Sequence, residues 1–254
     1  MIKLFVTDLD GCISYPFRSP SWSILTKIRE LNIESRRDPS IPPLTICTGR
    51  PYPYAEAIAQ MLDVRLPFVF ESAGLFIWDG NRVETGLKNE SEQLKPILEM
   101  KEWINSQILT EFPAAALEFT KKMDAGVVAA QKTVIDQIHP LILDKVEKDF
   151  PGLEIHITDV SVNILIKGNN KLKGMQLLGE NLNIGLDQIA YIGDTGGDVP
   201  ALEAVGKAFS PSNATRAVKN VSKNIPLETT EAVLAAYNEV IQYNRNQTSD
   251  SVVG

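Results

Sequence analysis

Apolar residues recur along this chain in two periods. The run Ile2-Lys3-Leu4-Phe5-Val6-Thr7 is short and rich in β-formers, and it stops at Asp8-Leu9-Asp10-Gly11, the pattern of a buried strand ending in a polar turn. Ile24, Leu25, Ile28 and Leu31 then fall at helical spacing behind Ser21, a candidate N-cap. A Pro- and charge-rich loop leads to a second strand, Leu44-Thr45-Ile46-Cys47, which ends at Thr48-Gly49-Arg50-Pro51; a helix over 54–62 and an apolar run over 67–70 follow. Strands alternating with helices predict an α/β domain built on a parallel sheet.

The pattern then changes. The stretches 75–78 and 82–84 flank Asp79-Gly80-Asn81, a hairpin signal. Between 86 and 167 the spacing predicts a helix (91–109), strands at 115–119 and 126–130, a helix (133–150), and strands at 153–157 and 162–166. That αββαββ order describes a smaller α+β unit inserted into the larger sheet domain, whose segments are then 1–85 and 168–254. Beyond Lys171 the alternation resumes with a helix (172–182) and a strand (188–192) ending at Gly193-Asp194-Thr195-Gly196-Gly197-Asp198. A short helix at 199–205, a short strand at 208–209 and an amphipathic helix at 231–243 complete the domain, with a frayed tail expected from about 245.

Composition narrows the classes. The 254 residues are 44% hydrophobic and 22% charged, as in a soluble globular protein, and the length suits a core domain with an insert. No stretch approaches the roughly 18 apolar residues of a membrane span, and the N-terminal run is too short for an export signal, so a cytoplasmic protein is expected, as monomer or homodimer. The formal net charge of −7 argues against nucleic acid as a partner. Two Cys and two His are too few for a disulfide framework or a Cys/His zinc site, which leaves carboxylates as the abundant chemical groups.

Those carboxylates sit at strand ends. Asp8 and Asp10 follow the first strand, Thr48, Gly49 and Arg50 the second, and Asp194 and Asp198 a later one. Ligands of open α/β sheets bind beyond the carboxyl ends of strands, so four carboxylates converge if these strands are neighbours. Single Asp residues there are ordinary turn formers and helix caps, but a crowded group needs a cation, and oxygen ligands without His or Cys favour Mg2+. Mg2+ with Thr and Lys nearby suits a phosphoryl group: one Asp can attack phosphorus and a second can move the proton.

Asp8-Leu9-Asp10-Gly11, Thr48-Gly49-Arg50, Lys173-Gly174 and Gly193-Asp194 with Asp198 resemble, in order, the four motifs of the haloacid dehalogenase (HAD) superfamily of phosphatases. The position of the insert is similar to the C2 cap of the Cof-like, sucrose-phosphatase-like and mannosyl-3-phosphoglycerate-phosphatase-like branches. The resemblance implies a Rossmann-like core with a C2-type cap, and a Mg2+-dependent phosphatase of a small phosphorylated metabolite such as a sugar phosphate or sugar-glycerate phosphate. It implies Asp8 as nucleophile and metal ligand, and Asp10 as acid/base that also lends the metal its backbone carbonyl. Thr48, Gly49, Lys173 and Asn213 would bind phosphate, with Lys171 the alternative lysine, and Asp194 and Asp198 would complete the metal site. Arg50, a candidate ion-pair partner as well, and Lys121 and Lys122 of the insert would face substrate. Cys12, Gly197 and Glu71-Ser72-Ala73-Gly74 depart from the family pattern without removing a catalytic charge. The insert holds 9 Lys/Arg against 13 Asp/Glu over 86–167, which argues against a lid for long polyanions. A phosphomutase, or a phospho-acceptor binding module, would use the same groups.

Overall fold

The computed structural model describes residues 1–16 and 18–250, the last two by backbone alone. Short apolar runs make the strands and amphipathic stretches the helices. The order is β1 (Leu4–Thr7), α1 (Trp22–Glu34), β2 (Leu44–Ile46), α2 (Tyr52–Met61), β3 (Phe68–Phe70), β4 (Gly74–Ile77) and β5 (Arg82–Thr85). Then come α3 (Glu90–Gln93), α4 (Lys95–Trp103), α5 (Leu109–Glu111), β6 (Ala115–Leu117), β7 (Val127–Ala129), α6 (Lys132–Asp149), β8 (Leu153–Ile157) and β9 (Ser161–Ile166). The chain ends with α7 (Lys171–Leu182), β10 (Ile189–Ile192), α8 (Val199–Ala204), β11 (Lys207–Ser210), α9 (Arg216–Val221), β12 (Lys223–Asn224) and α10 (Thr229–Asp250). Two compact units result, one from residues 1–84 with the chain from Lys171 onward, the other from residues 85–170. Among the described residues no helix is long and apolar enough to cross a membrane.

The first unit is built on a parallel sheet of order β12-β11-β10-β1-β2. β1 lies between β2 and β10, with Thr7 level with Ile46 on one side and Ile192 on the other, so the three strands end at one height. The strand order reverses direction at β1, which opens a crevice beyond these ends. Fully buried runs (Leu4 to Thr7, Ile189 to Ile192) are what a sheet covered on both faces requires. Leu4, Val6, Met175, Leu178 and Tyr191 share one core cluster. β3, β4 and β5 form a separate sheet, whose Asp79–Asn81 turn places Gly80 and Asn81 at positive φ.

The second unit is a four-stranded antiparallel sheet, order β6-β7-β9-β8, packed with its helices around Ile97, Ile135, Ile138, Ile142 and Val162. The single helix expected over 91–109 is interrupted instead. Pro96 in the first turn of α4 separates it from α3, and a π turn at Ile104–Ile108 keeps both isoleucines buried. The expected frayed tail is helical to Asp250, with residues 251–254 outside the described residues. Its anchor is Asn244, wholly buried, which takes Ile2 N–H at 2.8 Å and donates to Ile2 O (2.8 Å) and Ser40 O (3.1 Å).

Candidate active site

Asp8 follows β1 directly and is 4% exposed; its backbone N–H still donates to Ile192 O, so the ladder runs one step past the strand. One side-chain oxygen takes Leu9 N–H (2.7 Å) and the other takes the Lys171 ammonium (2.7 Å). Asp194 and Asp198 arrive from the loop after β10, and acceptor atoms of Asp8, Asp194 and Asp198 all lie within 4.8 Å of one another. Gly11 permits this crowding: at φ +69° it sits where an added Cβ would fall 1.8 Å from Asp194 Oδ2.

The three carboxylates differ in what surrounds them. Asp198 is fully committed. Its Oδ1 takes the Lys171 ammonium (2.5 Å) and the Tyr191 hydroxyl, and its Oδ2 takes Asp194 N–H, Thr195 N–H and the Thr195 hydroxyl. Burial works against its charge, yet Lys171 and these donors hold it below the usual carboxylate range. Asp194 is the reverse case: its Oδ1 is buried and, among the described residues, has no hydrogen-bond partner. Burial, then the charges of Asp198 and Asp8, push Asp194 up to about 9. Burial also raises Asp8 to about 7 against the pull of Lys171. Two crowded acids and an unspent acceptor are a donor set suited to a hard divalent cation, so the residues fit Mg2+.

Other expected residues fall into place differently. Thr48 is 1% exposed, anchored by its N–H to Val69 O and by Ser72 N–H to its own carbonyl, with its hydroxyl accepting Arg50 N–H (3.2 Å). The β3–β4 turn that supplies Ser72 holds Glu71 and Ser72 at positive φ. Arg50 pairs with Asp10 through two bonds, and its guanidinium lies 5.0 Å from the Tyr54 ring centre. Asn213 ties loops together, donating to Gly11 O (2.9 Å) and accepting Thr229 N–H.

The lysine brought to the carboxylates is Lys171. Lys173 lies two positions on, about 200° around the helix. Gly174 explains the choice: a Cβ there would sit 2.4 Å from Ser72 O, so α7 needs glycine on the face it presses to that turn, and Lys171 shares the face at i−3. The spacing that places a lysine on this face is the three residues from Lys171 to Gly174. Thr195 and Tyr191 carried no motif signal.

In the inserted unit, Lys121 is buried with its ammonium on Asp124 (2.8 Å), Glu118 (3.0 Å) and Asn163 (2.8 Å). Such a charge holds its own loop. Lys122 pairs with Glu90 at the surface.

A family description of haloacid dehalogenase-like hydrolases matches residues 115–237. A phosphoglycolate phosphatase of Methanopyrus kandleri is 25% identical over 229 residues, covering 87% of this chain and 89% of its own. A HAD/Cof-like hydrolase of Plasmodium vivax superposes with a TM-score of 0.72 at 18% identity, over 95% of this chain and 96% of that one. The sucrose-phosphatase of Synechocystis, solved with sucrose and phosphate, gives 0.68 at 16% identity over 94% and 98%. The fold follows these structures, and over residues 115–237 the chain is similar in sequence to the haloacid dehalogenase-like hydrolases.

Proposed function

We propose that the protein is a phosphatase that hydrolyses the phosphomonoester of a small metabolite with the help of Mg2+, held by the Asp8 and Asp194 side chains and the Asp10 carbonyl. The observation that carries this reading is Lys171 lodged between the buried carboxylates of Asp8 and Asp198 at the ends of β1 and β10, in a cluster whose Asp194 Oδ1 accepts no hydrogen bond among the described residues. When bound, Mg2+ supplies the positive charge that keeps Asp8 and Asp194 ionised and neutralises phosphoryl oxygens. An Asp8 oxygen attacks phosphorus as the bond from phosphorus to the leaving oxygen breaks, and Asp10 gives that oxygen its proton. A water molecule then gives a proton to Asp10 and attacks phosphorus. The Asp8–phosphorus bond breaks, its electron pair returns to Asp8, and inorganic phosphate leaves. Lys171 and Thr48 hold the phosphoryl oxygens, and Asp198 braces Lys171 and the Asp194 backbone.

For the substrate we favour a sugar phosphate or sugar-glycerate phosphate, with residues 85–170 as the C2-type cap. The names of the curated relatives favour a second reading, 2-phosphoglycolate. The test is phosphate release from a panel of both classes, with and without Mg2+, by the chain and by Asp8→Asn. Turnover that survives Asp8→Asn or excess chelator sinks the mechanism. Transfer to a second substrate hydroxyl would mark a mutase, and a stable stoichiometric phospho-Asp8 a switch.

A further inference from the structure

We propose that Tyr191 is a positioning residue for this reaction, aiming the Lys171 ammonium through Asp198; the inference rests on the phosphatase reading above. Tyr191 is wholly buried in β10, opposite Val6 and Ala208, in a core cluster with Leu4, Val6, Met175 and Leu178. Among such neighbours a leucine or phenylalanine fills space with no polar atom to satisfy, whereas a tyrosine hydroxyl needs a partner. That partner is Asp198 Oδ1, the same oxygen that takes Lys171. Asp198 Oδ2 is already held by Asp194 N–H, Thr195 N–H and the Thr195 hydroxyl, so the carboxylate cannot turn.

The Tyr191 hydroxyl thus occupies the remaining acceptor direction on Oδ1 and shares its negative charge. Lys171 is left balanced between Asp198 and Asp8, with its Asp8 contact at 2.7 Å. Without the hydroxyl, Asp198 Oδ1 has only Lys171 to bind, and the ammonium shifts away from Asp8 and the phosphoryl oxygens. Tyr191 touches neither substrate nor metal in this scheme. It acts two bonds away, through charge placed on one oxygen.

The test is Tyr191→Phe, which keeps the ring and removes one oxygen. With p-nitrophenyl phosphate, kcat/KM falls about tenfold, the worth of one hydrogen bond to a charged group. Competitive inhibition by inorganic phosphate weakens alongside, while the Mg2+ concentration for half-maximal activity stays put. In a Lys171→Ala background, Tyr191→Phe changes phosphate affinity no further. Tyr191→Leu, also apolar, replaces it if the phenylalanine variant is unstable. A lower melting temperature with unchanged kcat/KM and phosphate inhibition overturns the proposal, as does a full effect in the Lys171→Ala background. Wild-type chain that turns over no phosphomonoester overturns the phosphatase reading instead, and this one with it.

Discussion

Arg50 grips Asp10 by both carboxylate oxygens, Nε to Oδ2 at 2.6 Å and Nη2 to Oδ1 at 2.8 Å. Both oxygens are acceptors in this pairing, so one bond must open before Asp10 can deliver a proton. Planar two-point contact of this kind fixes direction as well as charge.

Leaving-group dependence follows from that pairing. Asp10→Asn is expected to lower kcat by about 10²–10⁴-fold on an alkyl phosphate, whose oxygen needs a proton, and far less on p-nitrophenyl phosphate. Arg50→Ala lowers kcat/KM about tenfold on the alkyl ester, the value of one charge-assisted bond. Equal losses on both esters for both variants would remove Asp10 from proton transfer.

Metal binding has a readout that needs no turnover. Mg2+ at about 100 times its dissociation constant stabilises a folded chain by about 2.7 kcal/mol, several degrees in Tm. Asp194→Asn, which replaces the unpartnered acceptor, removes most of that rise in a thermal scan. A rise of equal size in the variant would place the cation elsewhere.

Acid stability reports on the first unit away from the site. The Arg36 hydrogen bond, then the charges of Arg36 and Arg65, hold Asp63 below the usual carboxylate value of 3.8 despite some burial. A lowered folded pKa means that stability is fully present above the unfolded value and is lost as pH falls through the folded one. Asp63→Asn suits the site because Asn tolerates its φ of 54°. Urea midpoints of wild type and variant are expected to differ at neutral pH and to converge in acid.

Lys121 tests the second unit. Side chains of Lys121 and Asp124 are 4% and 2% exposed. Lys121→Met leaves both acids without their cation, a loss of about 3–5 kcal/mol for a broken buried pair. Urea denaturation measures it, and a loss below about 1 kcal/mol would mean that the cluster is solvated.

Much of this was legible because strands and charges are written locally. The runs into Asp8, Thr48 and Asp194 each show a buried strand meeting a polar turn, and equal register then brings them together. Arg50 finding Asp10 depends on a contact across 40 residues that no local period encodes. The same holds for the hydroxyl of Tyr191, which reads in sequence as one more β-former. β12 is missing from the predicted elements because its two polar residues, Lys223 and Asn224, carry no β pattern. The helical end of the chain was missed because its Asn244 reads as polar and solvent-bound until Ile2 is placed beside it.

That last contact joins positions 242 apart in the chain. On a ribosome β1 emerges long before the side chain that satisfies both Ile2 backbone groups. Residues 85–170 are complete long before then, and they have a core of their own. Synthesis therefore orders assembly: the inserted unit can fold while the sheet that carries Asp8 waits for α10.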